Sequence, residues 1–405
     1  GKAHDSEEAA ALSESNAHDS EEAAALSAGA ALVSEGKAHD SEVAAGASEA
    51  KSKAYLESLT QPFAFYKPDY NTPCMVKTGA QTLSIKAGTV VVADAVAHAF
   101  GVDTPITMPT LVAGSDYSVW VNADGTAQAV LDMYGAPATA PTPGAKKIGG
   151  FHYGLVAPGT TVASGSFATS GVTSAGGSMG WLQADVDKLA GINQFSIWDL
   201  AFRCKGEQRG MTYDPYKQMW AGIYFVSDSP HIYGPSAYNT NIASGSVLPF
   251  VSPAYGGDGI LKYATLNAFS GHEILAGHGL RYPTYDEFMS FAFGVTEGQS
   301  LGGAASTVPA TLRQPGYTSR IGIEQATGHQ IIIGGPVVSS HGTVYAANGR
   351  GSWFGSTSLV MLGGGRSDAA NSGSRFAGFS NPLALSSWGI SVRAAGDHLK
   401  LGAQS

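Results

Sequence analysis

The chain has 405 residues, a length that allows two or three domains with a sizeable core and excludes a small scaffold held together by disulfides. Charged residues make up only 14% of the chain and glycine contributes 53 residues, a composition typical of many turns and short strands. The formal net charge of -9 argues against a nucleic-acid partner, because such a partner requires clustered Lys and Arg.

The cysteines and the hydropathy of the sequence exclude further classes of protein. Cys74 and Cys204 lie far apart without a Cys-x-x-Cys companion, so the sequence signals neither a zinc site nor a redox motif and disfavours a disulfide. No apolar run approaches the roughly 18 residues of a membrane span, and no export signal is recognisable. The sequence starts inside a repeat and without Met, so we expect it to be the carboxy-terminal part of a longer protein.

Residues 1–53 form an acidic, repetitive segment. They carry eleven acidic and four basic side chains, against 21 and 19 in the rest of the chain. The sequence Ala-His-Asp-Ser-Glu-Glu-Ala-Ala-Ala-Leu-Ser occupies 3–13 and 17–27, and its first five residues return at 38–42. The repeat spacings are multiples of seven, the period of a supercoiled helical oligomer. We therefore predict a helical coiled-coil stalk over 1–58.

The seam of this predicted stalk is weak. Its substantial apolar side chains are few, namely Leu12, Leu26, Leu32, Val33 and Val43. At about 25 cal/mol per Å² of buried apolar surface, such a seam would not hold a short oligomer by itself. A disordered acidic linker is the alternative interpretation, because low hydrophobicity with many Ser and Glu also favours disorder. The repeated His4, His18 and His39 are interpreted as surface positions, not as metal ligands.

Residues 59–160 are predicted to form a β-sandwich domain. Alternating apolar patterns predict short strands at 82–86, 88–93, 116–122, 126–130 and 146–153. Asp124-Gly125 is a strong hairpin signal between two of these strands. Several short strands at this spacing favour a small antiparallel sandwich.

The third predicted domain covers 161–405. It opens with a stretch at 160–180 that is rich in Gly, Ser, Thr and Ala and is read as a linker or long loop, so a new folded region is expected near Trp181. The pattern at 282–293 predicts a helix. The remainder is rich in Gly and Ser and predicts loops and short strands. The expected fold class is therefore α+β, mostly β.

Many short segments between Ile85 and Leu399 occur in the order found in one known family. They include Ser84-Ile-Lys-Ala-Gly-Thr, Gly149-Gly-Phe-His-Tyr, Ser196-Ile-Trp-Asp, Gly256-Gly-Asp-Gly, His278-Gly-Leu-Arg-Tyr-Pro, Gly349-Arg-Gly-Ser, Ser372-Gly-Ser-Arg and Asp397-His-Leu. No single motif is decisive, but so many in order are a strong signal. With them the chain resembles the major tropism determinant family of Bordetella bacteriophages, the receptor-binding proteins at the tips of tail fibres.

This resemblance implies a homotrimeric adhesin whose last domain has a C-type-lectin fold and follows a β-sandwich. It implies a place at the tail-fibre tip of the virion and a protein or glycan receptor on the host cell surface. Other tail or baseplate proteins would attach through the missing amino-terminal part. No cofactor and no metal are expected. The family's amino-terminal β-prism has no counterpart, and the heptad stalk stands in its place.

The resemblance also implies where the receptor binds. In that family the last stretch displays a face whose residues are diversified by an error-prone retroelement, and whether this copy is diversified stays open. The positions that match variable ones are Gly365, Ser367, Ala369, Asn371, Gly378, Ser380, Asn381, Leu385, Ser387, Gly389 and Ile390. They are mostly small, whereas binding sites usually depend on Tyr, Trp and Arg anchors. Neighbouring Arg366, Phe379 and Trp388 are candidates for that role, as are nearby loops such as 231–255.

Several other positions in this stretch are interpreted as structural. Arg375, Arg393, Asp397 and His398 match the family scaffold and are expected to hold the fold. Two departures are visible. Gly396 stands where the family has Cys, and Ile331-Ile-Ile stands where it has Trp-Thr-Trp, which preserves apolar volume.

Two other classes of function were weighed against receptor binding. A glycan-cleaving tail protein needs two carboxylates facing each other across a cleft. The candidates are Asp258, Asp286, Glu287 and Glu297, of which the middle two are neighbours that point about 100° apart on a helix. No catalytic motif accompanies them, so an enzyme is not expected. Asn381-Pro382 lacks the preceding acid of a calcium-dependent sugar site. A purely structural fibre segment would leave the large last domain unexplained.

Overall fold

The computed structural model describes residues 65–168, 180–302, 310–335, 337–338, 345–346, 352–353 and 357–399, together with Asn16, His18–Glu21, Ala24, Ser27 and Glu35. Contacts divide the chain into two units, Gly1–Phe63 and Ala64–Ser405. In the first unit the described residues are helical and exposed, and the Ser20 hydroxyl donates to the carbonyl of Asn16 at 2.8 Å. The five large seam residues of the predicted stalk lie outside the described residues, so the coiled coil stays a prediction.

The amino-terminal half of the second unit is built from short strands. They are β1 (Phe65–Tyr66), β2 (Met75–Gly79), β3 (Thr82–Ile85), β4 (Thr89–Ala93), β5 (Val96–Phe100), β6 (Thr104–Pro105), β7 (Ser115–Val121), β8 (Ala127–Leu131) and β9 (Lys146–Tyr153). They form a β1-β4-β5 sheet, a β2-β3-β6 sheet and a sheet in which β7 lies between β8 and β9. The Asp124-Gly125 turn joins β7 to β8, as predicted. Strands β3 and β4 lie in different sheets and do not pair.

One core joins these three sheets. Apolar side chains that alternate along the strands, among them Ile85, Val91, Val119 and Ile148, are fully buried together. A buried ion pair lies near its edge, where Lys67 Nζ stands 2.7 Å from Asp199 Oδ2. Since Asp199 lies far along the chain in the next strand, β10 (Trp198–Asp199), the pair fixes that strand to the sandwich.

The carboxy-terminal half contains few helices and many short strands. The helices are α1 (Gln183–Leu189), α2 (Pro230–Tyr233), α3 (Ala268–Ala276) and α4 (Tyr285–Phe291). After β10, the strands are β11 (Met211–Asp214), β12 (Met219–Gly222), β13 (Ile331–Ile333), β14 (Val337–Val338), β15 (Tyr345–Ala346), β16 (Ser352–Trp353), β17 (Thr357–Leu362), β18 (Ala377–Pro382), β19 (Ile390–Ser391) and β20 (Ala395–Asp397). The mostly β class is confirmed.

Two sheets organise this half. Strand β12 lies between β11 and β20, and β17 pairs with β13, β14 and β18. Strand β13 also pairs in parallel with β19, which brings Ile331 beside Ile390. The predicted helix at 282–293 is α4, and it begins with a capping box in which the Thr284 hydroxyl accepts the amide of Glu287 while the Glu287 carboxylate accepts the amide of Thr284.

The segment predicted as a linker is packed where the structure describes it. Phe167 is buried against Trp181, with ring centroids 4.4 Å apart, and both join a small core with Leu189 of α1. Arg313 donates to the carbonyl of Gly165, and its guanidinium lies over the Phe167 ring. Strand β10 meanwhile joins the sheet of β9. The two halves of the second unit are therefore joined by contacts on both sides of residue 160. The domain boundary predicted there stays a prediction.

Candidate receptor-binding face

The scaffold of the carboxy-terminal half is organised around a buried arginine. Arg393 is fully buried, and its guanidinium lies 4.2 Å from the centre of the Phe225 ring. Its two terminal nitrogens donate to four backbone carbonyls, those of Gly222, Ile223, Glu324 and Gln325, at 2.8 to 3.1 Å. A guanidinium suits this task because its donors are fixed in one plane. Arg393 thus joins two chain segments to the last strands. These contacts agree with the expectation that Arg393 holds the fold.

Two glycines turn the chain out of strand β17 towards the candidate face. Gly363 and Gly364 both have positive φ, 84° and 74°, a conformation that side chains with a Cβ rarely adopt. A Cβ at Gly364 would also lie 2.5 Å from the Ser372 hydroxyl. The turn therefore requires glycine on both counts, and it begins the loop that carries Ser367, Ala369 and Asn371.

A neighbouring segment, residues 297–302, holds this loop from behind. The Glu297 carboxylate accepts both the amide and the hydroxyl of Ser374, and Gly298 donates its amide to Ser372. The Ser300 hydroxyl donates to the Arg366 carbonyl at 2.7 Å and accepts the Ala369 amide at 3.2 Å. The backbone of the loop is therefore fixed without using the side chains that point outwards.

Asp368 and the buried His329 support the same loop from within. Asp368 Oδ2 accepts the Gly365 amide at 2.6 Å. His329 Nε2 lies 2.6 Å from Arg366 Nη2, and burial together with the charge of Arg366 lowers the pKa of His329 to about 3. His329 is therefore neutral at neutral pH and accepts from Arg366, which ties Arg366 inwards. The sequence-based suggestion that Arg366 anchors the receptor competes with this structural contact.

The eleven predicted site residues divide by exposure. Four are exposed, namely Ser367, Ala369, Asn371 and Ser380. Five are half-buried, namely Gly378, Asn381, Leu385, Ser387 and Gly389. Gly365 and Ile390 are buried, Gly365 beside His329 and Ile390 against Ile331. Leu385 packs against the core that contains Ile390, so it too faces inwards in part.

Strand β18 carries the aromatic side of this face. Phe379 is 46% exposed, and its ring meets that of Tyr285 edge to face with centroids 6.3 Å apart. The Tyr285 hydroxyl donates to the Arg375 carbonyl at 2.8 Å, and Arg375 in turn donates to the carbonyl of Met289. Arg375 therefore joins the end of helix α4 to the start of β18, which supports its structural interpretation. Trp388 is half-buried.

The last strand is held by ionic and aromatic contacts. Asp397 accepts from Arg281 Nε at 2.9 Å, and His398 Nδ1 accepts from Trp220 Nε1 at 3.1 Å. A Cβ at Gly396 would lie 2.2 Å from Cys204 Sγ. The Cys204 thiol therefore fills the space beside residue 396, and glycine is what this neighbour requires. Cys74 and Cys204 are both buried and unpaired.

Each carboxylate that was weighed as catalytic has a structural partner. Asp258 accepts the amides of Ile260 and Leu261, the turn role expected of it. Asp286 pairs with Lys217, and Glu287 binds Arg281 through both oxygens. Glu297, finally, accepts the amide and the hydroxyl of Ser374.

The described residues contain neither a metal-binding cluster nor a membrane-spanning helix. No group of three or more His, Cys, Asp or Glu in that part of the chain is placed to hold a metal ion. No helix in that part is long and apolar enough to cross a membrane.

The sequence did not identify residues 297–302 as supports of the face. The sequence marks Glu297 only as a candidate catalytic carboxylate, and it does not mark Ser300. Both contacts join segments more than sixty positions apart, since Ser300 reaches Arg366 and Glu297 reaches Ser374. No local pattern signals such a pairing, so the three-dimensional fold was required to find it.

Comparisons with known proteins agree on one group of relatives. The family model described as "Mtd second domain" matches residues 73–179. The chain is 36% identical over 348 residues to the tail fiber receptor-binding protein of Bordetella phage BPP-1, covering 84% of this chain and 85% of that protein. Two solved structures, the U1 and M1 variants of the Major Tropism Determinant, match with TM-scores of 0.70 and 0.71 at 35% and 34% identity, over 84% of this chain and 86% of each variant.

Proposed function

This chain belongs to the major tropism determinant family of phage tail-fibre receptor-binding proteins, and we propose that it attaches a virion to its host through the exposed surface of residues 367–388. Its place is the tail-fibre tip of the virion, as for its relatives. The relatives are receptor-binding proteins and not enzymes. One observation supports the proposed surface. The loop backbone is held from behind by Glu297 and Ser300, while Ser367, Asn371 and Ser380 face solvent.

The proposed surface, called the receptor face below, consists of the exposed and half-buried members of the predicted set. Gly365 and Ile390 contribute by shape alone, because they are buried. Phe379 supplies the large side chain that the small residues lack. An aromatic ring that is about half exposed and already held by a second ring loses little freedom on binding, which favours it as an anchor.

The test of the receptor face is an adsorption assay. Ser367, Asn371, Ser380, Asn381 and Ser387 are replaced together by residues of different size and charge, for example Ser→Arg and Asn→Phe. We expect adsorption to host cells to be lost. The melting temperature should change only modestly, because three of the five positions are exposed and such positions usually contribute within about 0.5 kcal/mol each, while Asn381 and Ser387 are half-buried. A matched control replaces the exposed Asn71, Thr107 and Thr110 of the sandwich in the same way. Normal adsorption by the first variant would place the receptor site elsewhere, for instance on 231–255.

The protein is further proposed to act as a homotrimer with a helical stalk over 1–58. Three copies of a receptor face of modest affinity, repeated over several fibres, raise avidity far above that of one contact. Since the seam of the stalk is small, residues after 54 would supply most of the assembly. Deletion of 1–53 should leave a trimer in sedimentation velocity experiments, and a monomer would contradict this assignment. Contact with other tail or baseplate proteins is part of the same proposal.

A further inference from the structure

A second concave surface shares no residue with the receptor face. It is an open cleft of about 320 Å³ beside the sheet of β11, β12 and β20. It is lined by Lys205, Lys217, Gln218, Met219, Arg281, Glu287, Asp397 and His398. Its volume lies at the lower end of the range for small-molecule sites. Nothing in the proposed attachment mechanism uses it.

Three charged side chains of the cleft, those of Arg281, Glu287 and Asp397, are bonded to one another. Arg281 donates to both oxygens of Glu287, at 2.6 and 2.8 Å, and through Nε to Asp397 at 2.9 Å. The hydrogen bonds to Glu287 raise the pKa of Arg281, so the guanidinium stays charged. A bidentate pair of this kind fixes orientation as well as charge. A ligand would therefore meet a surface that is already organised, which lowers the entropic cost of binding.

Hydrogen-bonding capacity remains at the rim of the cleft. Lys205 Nζ stands 4.0 Å from Asp397 Oδ2, beyond hydrogen-bond range, and both side chains are more than half exposed. The ammonium of Lys217 pairs with the largely exposed Asp286. Each ammonium has three donors, and each carboxylate has several lone pairs. Donors and acceptors thus alternate within reach of a single small ligand.

The charges of the cleft balance one another. The lining holds the cations Lys205, Lys217 and Arg281 and the carboxylates Glu287 and Asp397. Asp286 lies outside the lining, pairs with Lys217 and supplies the third negative charge. An anionic or cationic ligand would have to displace an existing partner at an electrostatic cost. A hydroxyl group avoids that cost, because it donates to a carboxylate and accepts from an ammonium at the same time. Balanced charge therefore favours an uncharged ligand rich in hydroxyls.

An exposed aromatic side chain stands at the tip of the adjoining hairpin. Tyr216 is 87% exposed and directly precedes Lys217 of the cleft. Its loop is fixed by the buried Asp214, whose carboxylate accepts the amides of Tyr216 and Lys217 at 2.8 and 3.2 Å. A rigid, amphipathic ring of this kind offers contact area to the apolar face of a ligand at low entropic cost.

We propose that this cleft binds an uncharged sugar residue of a surface glycan, as a site separate from the receptor face. Hydroxyls of the sugar would bond to Lys205, Lys217 and Asp397, and Tyr216 would cover an apolar face of the ring. A subsite of this kind would add a second contact with the host surface to each copy of the chain.

Ligand-observed saturation-transfer NMR on the full chain tests this site. The probes are methyl glycosides of neutral hexoses and N-acetylhexosamines, with methyl glucuronide and glucosamine as charged comparators. We expect saturation of at least one neutral glycoside and about tenfold weaker binding in the double variant Lys205→Met, Lys217→Met, which removes two donors worth about 1.4 kcal/mol together. The matched control is Lys262→Met, an exposed lysine outside the cleft.

Other results would overturn the site. Absence of saturation for every neutral glycoside, equal binding by the double variant and the control, or preference for a charged comparator each contradicts it. Should the double variant fail to fold, Tyr216→Ala is the deciding variant, because such an exposed residue contributes little to stability. Unchanged glycoside binding by Tyr216→Ala would count against the site. The variant with five changes in the receptor face should bind the glycoside normally, so failure of either proposal is visible separately.

Discussion

Two stretches near the carboxy-terminal end differ sharply in environment. From Ser391 to Gly396 six consecutive residues are buried, with Arg393 at their centre, whereas 366–371 is mostly exposed and carries small side chains. The first stretch bonds to the scaffold through the Arg393 side chain and through its own backbone. The second is held by Ser300, which bonds the Arg366 carbonyl and the Ala369 amide, and by the side chains of Arg366 and Asp368. In the proposed function, recognition therefore depends on exposed side chains such as Ser367, Ala369 and Asn371, which make none of the bonds that hold the scaffold.

The largest effect is expected from Arg393→Ala. The substitution removes the Arg393 donors from four buried carbonyls, of which that of Ile223 keeps the amide of Glu324, and breaking a buried charged network of this kind costs about 4 kcal/mol. Thermal unfolding monitored by circular dichroism should show a large drop in melting temperature. Arg393→Lys should recover only part of it, since an ammonium lacks the planar fork that reaches two segments. A small loss in Arg393→Ala would show that the scaffold does not depend on this residue.

Next in size is the pH dependence that comes from Glu324. Burial raises the pKa of this carboxyl from 4.5 to about 7, so between those values the folded chain holds a proton that the unfolded chain has lost. Its contribution is therefore present below pH 4.5 and lost as the pH rises to about 7, a change of about 3 kcal/mol. Glu324→Gln should remove this loss. In urea unfolding, the free energy of unfolding of the variant should therefore rise relative to that of the wild type between pH 5 and 8.

His329 gives an opposite slope in the same experiment. Because its folded pKa is lowered to about 3, its stabilising contribution is present above pH 6.5 and lost as the pH falls towards 3. In the wild type the two slopes partly cancel between pH 4.5 and 6.5. Glu324→Gln should uncover the rise due to His329 in that window. Identical pH profiles for the variant and the wild type would contradict the assignment of Glu324.

Much of the fold was predictable because its signals are local. The strands at 116–122 and 146–153 and the Asp124-Gly125 hairpin follow from alternation and turn chemistry. Helix α4 follows from Pro283 and Thr284 at its start and from Phe288, Phe291 and Ala292 on one face. The packing of Phe167 against Trp181 was not predictable, since a stretch rich in Gly and Ser reads as a linker whether or not one aromatic residue finds a partner.

The receptor face was located by its resemblance to a family and could not have been derived from composition. Exposure could not be read from the sequence either: Ser367 and Gly365 look alike in the pattern, yet one is exposed and the other buried. The supports at Glu297 and Ser300 are contacts between distant segments, which neither periodicity nor spacing encodes.

A smaller effect is expected from Glu297→Ala. The variant loses the acceptor for the Ser374 amide and hydroxyl, at a cost of about 2 kcal/mol for leaving them unpaired. Because the loop is then less well fixed, adsorption should fall although no exposed residue has changed. Glu297→Gln keeps one carbonyl oxygen as acceptor and should recover most of both losses. Hydrogen exchange at 365–374 should rise in the Ala variant, and unchanged exchange would show that this support is dispensable.

The smallest effect is expected from a chelator. Calcium needs about six or more oxygen ligands. Around the receptor face the carboxylate oxygens already have protein donors: Glu297 accepts from Ser374, and Asp368 Oδ2 accepts from Gly365. A cation there would have to break the bonds that fix the loop. Adsorption in excess EDTA should therefore equal adsorption in calcium, with an unchanged melting temperature. If EDTA abolished adsorption while the chain stayed folded, recognition would depend on a bound cation, and the backbone-held loop would not by itself account for the receptor face.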